Sequence, residues 1–161
     1  MKDILESKRV GKIIRAKGQQ CYYNAFHVIQ EVPEYADADY VEGLAVPNGG
    51  LPIEHGWVEK DGVVIDPTLP EREAVYFAGL RFRGGVPLAK ALRIPKPEYT
   101  TEDFPIFHRF GWGGIDSPEF RAALIAAYRH AGMDGVAKTY ENYKPRDASE
   151  VSEDSTALVV G

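Results

Sequence analysis

The stretch Glu54-His55-Gly56-Trp57-Val58-Glu59-Lys60-Asp61-Gly62-Val63-Val64-Ile65-Asp66-Pro67-Thr68 decides the fold. Asp61-Gly62 stands between two alternating runs, a strong short-range signal for a two-residue hairpin turn. With those two residues as the loop, Lys60 lies opposite Val63, and pairing continues as Glu59 with Val64 and Trp57 with Asp66. His55, Trp57 and Asp66 then share one face, because strand side chains alternate with period two. Asp66 becomes the diagonal cross-strand neighbour of His55, within reach of a side-chain hydrogen bond. One turn therefore supplies an oriented His–Asp pair.

Working outward, residues 1–17 read as an amphipathic helix with Ile4, Leu5, Val10, Ile13 and Ile14 as its apolar set, broken by Gly18. A second helix is predicted from Gln20 to Glu31, stopped by Pro33. Strands are predicted at Tyr40–Val46, Ile53–Lys60, Val63–Asp66 and Val75–Phe82. Gly84-Gly85 opens a turn before a short helix over Val86–Arg93, and residues 94–116 read as a long irregular connection. Ser117-Pro118-Glu119 starts a further helix: serine caps it, proline suits its first turn and Gly132 ends it. This order describes an α+β fold with an antiparallel sheet. A single domain is expected over residues 1–143, with the polar, acidic residues 144–161 as a mobile tail.

Cys21 is the third chemical element. It follows Gly18-Gln19-Gln20 at a predicted helix N-terminus, where unpaired amides and the helix dipole stabilise a thiolate. A cysteine there, facing a histidine held by an aspartate, is an activated nucleophile. The Cys21 amide is one natural oxyanion donor, and the side-chain amides of Gln19 and Gln20 are both candidates for the second.

On these residues the chain resembles the transglutaminase-like core of the papain-like cysteine enzymes. The resemblance rests on Cys at a helix start, His followed closely by an aromatic, Asp-Gly, and then Asp-Pro-Thr, over roughly residues 18–82, about 40% of the chain. The chain is also similar to small bacterial and phage proteins that share the patterns Cys-Tyr-x-Asn-Ala, Glu-Gly-x-Ala and His-x-Trp. Tyr22 stands where transglutaminases commonly carry tryptophan. The resemblance implies a papain-like core, with N-terminal helices packed on an antiparallel sheet. It implies Cys21 as nucleophile, His55 as base and acid, and Asp66 as the orienting partner. The implied activity is a thiol protease- or amidase-like hydrolase acting on an amide, isopeptide or related acyl bond. An acyltransferase or transglutaminase-type transferase, and a non-catalytic binding protein on the same fold, are the alternatives.

Composition sets the remaining bounds. Hydrophobic residues are 44% and charged residues 27% of 161, an ordinary globular balance of about one domain. No run approaches the ~18 apolar residues of a membrane span, and the opening residues lack the apolar core of a secretory signal, so a cytoplasmic protein is expected. One cysteine excludes an internal disulfide and a Cys-rich zinc site, and the four histidines lack zinc-ligand spacing. No metal or cofactor is implied. The formal net charge is −5, which argues against nucleic acid as a partner, and a protein, peptide or small amide is the expected substrate. Residues 1–20 carry six Lys/Arg against two acids, so this helix is either a solvated face or a contact for an acidic partner.

Trp57, Glu42 and Trp112 are the candidate residues of a substrate cleft, although a surface or edge position is the plainer expectation for Glu42, and loop packing for Trp112 and His108. Gly43 and Ala45 share one face of the first strand, where small side chains would let the Cys21 helix approach closely. His27 points away from Cys21 on its helix, and His130 falls in the last turn before Gly132, where it complements the helix dipole.

Overall fold

The computed structural model describes residues 1–92 and 103–145. In chain order it contains α1 (Ile4–Ile13), α2 (Cys21–Glu31), β1 (Asp39–Pro47), β2 (Ile53–Lys60), β3 (Val63–Ile65), β4 (Ala74–Arg83), α3 (Val86–Leu92), α4 (Pro118–His130) and α5 (Asp134–Glu141). The strands form one antiparallel sheet in the order β3-β2-β1-β4, so the chain is an α+β protein with five helices among the described residues. Residues 146–161 of the tail expected over 144–161, and residues 93–102, within which the connection expected over 94–116 begins, lie outside the described residues.

The hairpin forms in the register that the Asp61-Gly62 turn dictates. Lys60 pairs with Val63, Glu59 with Val64 and Val58 with Ile65. Asp61 and Gly62 both take positive φ, 51° and 76°, as the tight primed turn requires.

Each face of the sheet has its own task. Tyr40, Leu44, Val58, Ile65 and Leu80 contribute to the main core, which also takes Ala25, Phe26, Val28 and Ile29 of α2 and Phe120, Ala123, Leu124 and Ala127 of α4. On the opposite face Val41, Trp57 and Val64 form a smaller cluster with Tyr76 and Ala78. Two glycines admit the helices. A Cβ on Gly56 would lie 2.6 Å from Tyr22 Cδ1 and 2.9 Å from Tyr22 Cα, and one on Gly79 would lie 2.6 Å from the Phe120 ring.

This corrects the reading of Gly43 and Ala45. A Cβ on Gly43 would meet the Phe77 carbonyl at 2.2 Å and Trp57 at 2.9 Å, so this small residue admits Trp57 across the sheet. The glycine under the Cys21 helix is Gly56.

Two helix boundaries also differ from expectation. α1 starts at Ile4, because residues 1–3 are drawn into a parallel bridge with Val64 and Asp3 caps the helix by accepting from the Glu6 amide. It ends before Gly18, since Arg15 takes a left-handed φ of 54°. Ser117 caps α4 as expected, and Gly132 takes φ 73° just beyond it. The expected irregular connection includes two short 3-10 turns, Ile106–Arg109 and Trp112–Gly114. No helix among the described residues is long and apolar enough to cross a membrane.

Candidate active site

β3 ends at Ile65, opposite Val58, so β2 has no β3 neighbour from Trp57 back to Ile53. The first turn of α2 sits in that corner. Tyr22 lies against Gly56, and Asn24 Nδ2 donates to Thr68 Oγ1 at 2.9 Å. Asn24 also fixes the approach to the helix: its Nδ2 donates to the Lys17 carbonyl at 2.7 Å, and its Oδ1 accepts from the Lys17 amide at 3.1 Å. One buried amide thus ties the loop before Cys21 to the turn after Asp66.

His55 and Asp66 meet as the hairpin parity requires. His55 Nε2 donates to Asp66 Oδ2 at 2.9 Å, with both side chains buried. Burial pushes the His55 imidazole down, but Asp66, its hydrogen-bond partner, and Cys21 at the start of α2 outweigh it and lift it to about 9. For Asp66, burial pushes up; the hydrogen bond from His55, its charge, Tyr76 and Lys2 outweigh this and hold the carboxyl at about 2. The charged pair is therefore the form this corner favours at neutral pH.

Asp66 is itself held on every side. Oδ1 accepts from the amides of Thr68 at 3.0 Å and Leu69 at 3.1 Å, and Oδ2 also accepts from Tyr76 Oη at 2.7 Å. Its own amide donates to Ser7 Oγ at 3.0 Å, a hydroxyl that α1 carries into the interior. Lys2 Nζ lies 3.8 Å from Asp66 Oδ2 and donates to the Leu69 carbonyl and, at 2.9 Å, to that of Arg72. Lys2 is therefore committed to this site and is withdrawn from the basic N-terminal face. Of the others, Lys8 pairs with Glu71, and Arg9 with Glu6 and Glu34.

The remaining candidates divide. Gln19, at φ 63°, is exposed, and Gln20 is the N-cap residue of α2 without a side-chain capping bond, so both amides flank the Cys21 helix start. Trp57 does not line a cleft: it is fully buried, 6.4 Å from the His55 ring and edge-on to Tyr76 at 5.1 Å. Its alternation puts it behind the histidine as a backing wall.

Glu42 is neither a surface charge nor a cleft residue. It is 0% exposed, accepting from Tyr40 Oη at 2.6 Å and from the Ile106 and Phe107 amides at 2.7 and 2.8 Å. Burial pushes its carboxyl up to about 7 against those bonds. Its task is to pin the 106–109 turn onto β1.

Trp112 is 90% exposed and, contrary to the loop-packing expectation, lines a cavity of about 780 Å³ together with His108, Glu54, Tyr128 and Tyr140. His27 bonds Glu31 on its own helix, away from the thiol, and His130 lies in the last turn of α4. Among the described residues no three His, Cys, Asp or Glu side chains gather as metal ligands would.

Four residues were missed by sequence reasoning. Ser7 and Tyr76 reach the site from distant segments and carry no local signal, and Asn24 stands in the Cys-Tyr-x-Asn-Ala pattern without its bridging role being legible there. Lys2 belongs to a basic cluster whose ordinary reading is a solvated face. Comparison with protein-family models, curated proteins and solved structures returns no match.

Proposed function

We propose that the chain is a cysteine-nucleophile hydrolase acting on an amide, isopeptide or related acyl bond through a thioester, on a papain-like core of the transglutaminase-like kind. The observation that supports this most strongly is the 2.9 Å hydrogen bond of buried His55 to Asp66, with Cys21 acting on the same imidazole. These are the nucleophile, base and orienting carboxylate that such catalysis needs.

In this reading His55, charged at rest, already holds the Cys21 proton, and the thiolate attacks the substrate carbonyl. A carbon–sulfur bond forms, and the carbonyl electrons move to oxygen. The Cys21 amide, with Gln19 or Gln20, receives the oxyanion. As it collapses, the carbon–nitrogen bond breaks and His55 returns its proton to the leaving amine. Water, deprotonated by His55, then cleaves the thioester, releasing the acid and the thiol. Asp66 keeps the ring oriented and stabilises the imidazolium throughout.

The test is acyl-enzyme trapping. p-Nitrophenyl acetate should leave one acetyl group on Cys21 by intact-mass and peptide mapping, hydroxylamine should remove it, and Cys21→Ala should not acquire it. Acetyl confined to lysines, or an unchanged pattern in Cys21→Ala, would contradict the proposal and favour a binding protein. Resolution by an added amine in preference to water would identify a transferase.

A further inference from the structure

The cavity that Glu54 and Trp112 line has a distinctive composition. Gly56 on β2 carries Tyr22 against it, and Glu54 lies two residues along the same face, about 7 Å further on. Glu54 is also the chain neighbour of His55, its side chain on the other face of the strand. Its walls are Leu44 opposite Glu54 on β1, Trp112, and the stacked pair Tyr128 and Tyr140, whose rings lie 5.6 Å apart at 24°. The Tyr22 hydroxyl, which feels both Cys21 and Glu54, is buried without a hydrogen-bond partner, the one such side-chain atom among the described residues.

Glu54 has no ion pair or hydrogen bond among the described residues, although burial raises its carboxyl and only His108 acts against that. Elsewhere on the chain, Glu59, Glu6 and Asp37 all have Arg or Lys partners. An exposed carboxylate that lines one cavity with three aromatic rings is suited to a cation with an apolar stem. The carboxylate supplies the charge and the rings supply cation–π faces and apolar contact. An anion would meet Glu54, and a neutral alkyl group would leave the carboxylate desolvated without compensation.

We infer that this cavity is a specificity subsite for a cationic side chain, an alkylammonium or guanidinium on an apolar stem, borne by the substrate whose acyl bond lies at Cys21. The inference deepens the thiol-enzyme proposal and, as a statement about the substrate, rests on it.

Two acyloxymethyl ketones test it, one built on Nα-acetyl-lysine and one on Nα-acetyl-norleucine, which differ by the ammonium group. Reversible binding to Cys21→Ala protein, followed through the Trp112 indole N–H resonance, should favour the lysyl compound about tenfold (about 1.4 kcal/mol). Adding Glu54→Gln should abolish that preference. Equal affinities, no movement of the Trp112 resonance, or a preference that survives Glu54→Gln would overturn the subsite. Labelling of the wild-type chain by the same compounds reports separately on the thiol. Lysyl-selective binding without labelling of Cys21 would sink the enzyme proposal and leave the cation site standing. Labelling by both ketones at equal rates, lost in His55→Ala, would do the reverse.

Discussion

Asp66 accepts the 2.9 Å hydrogen bond of His55 through one carboxylate oxygen, while the backbone amides of Thr68 and Leu69 hold the other. All four groups bonded to the carboxylate, Tyr76 included, are donors. An asparagine must therefore turn its own donor toward donors on one side or the other. Asp66→Asn should slow acylation of Cys21 by about 10²–10⁴-fold. It should also cost about 1–3 kcal/mol of stability, roughly 2–12 °C in melting temperature for a chain of this size. Acylation kinetics and calorimetry on one preparation check both. Full activity in the variant would remove Asp66 from the mechanism.

The pH dependence of stability has a defined sign. The His55 imidazole is held at about 9, above the ordinary ~6.5 of an unfolded histidine. Its contribution is therefore complete below about pH 6.5 and is lost as pH rises through about 9. Asp66, held at about 2, contributes above about pH 3.9 and loses that contribution as pH falls toward 2. Glu42 is raised to about 7, so its favourable state is complete below about pH 4.3 and fades as pH rises through 7. Melting temperature should thus decline in two stages above pH 5. His55→Gln should remove the later, alkaline stage and keep the earlier one; an unchanged alkaline limb would contradict the assigned pair.

Gly56 sets how closely α2 approaches β2. Gly56→Ala places a methyl 2.6 Å from the Tyr22 ring and 2.9 Å from its Cα, so the first turn of the helix must move. The expected cost is about 1–3 kcal/mol, with slower labelling of Cys21 by iodoacetamide. Gly135→Ala, where nothing lies within 4 Å, is the control and should leave labelling unchanged. Equal labelling in both variants would show that helix placement does not govern the thiol.

Asn24 joins the two ends of the site. Asn24→Ala removes three hydrogen bonds and strands the Lys17 backbone and the Thr68 hydroxyl. A loss of about 1–3 kcal/mol is expected, and hydrogen exchange should accelerate over both Lys17–Gln20 and Thr68–Leu69. Acceleration confined to the first segment would argue against the bridge.

The His55–Asp66 half of the site was legible because a two-residue turn fixes register, register fixes parity, and parity places both side chains on one face. That chain of reasoning works within about a dozen residues. It could not reach Tyr76, which crosses from β4, or Lys2, drawn in by a parallel bridge to Val64. Glu42 misled for a different reason. A charged residue on a strand is ordinarily solvated, and it is Tyr40 Oη together with the Ile106 and Phe107 amides, the latter from a segment with no strong local signal, that make its burial tolerable. Gly43 and Gly56 are alike as sequence; which of them admits a helix depends on which face the helices cover.

The most direct measurement is the acylation rate of Cys21 by p-nitrophenyl acetate in the wild-type chain, His55→Ala, Asp66→Asn and the double variant, each shown to be folded by circular dichroism. If the three residues act as one unit, His55→Ala lowers the rate by about 10²–10⁴-fold, and adding Asp66→Asn lowers it little further. A Cys21 that acylates as fast without His55 as with it would contradict the account.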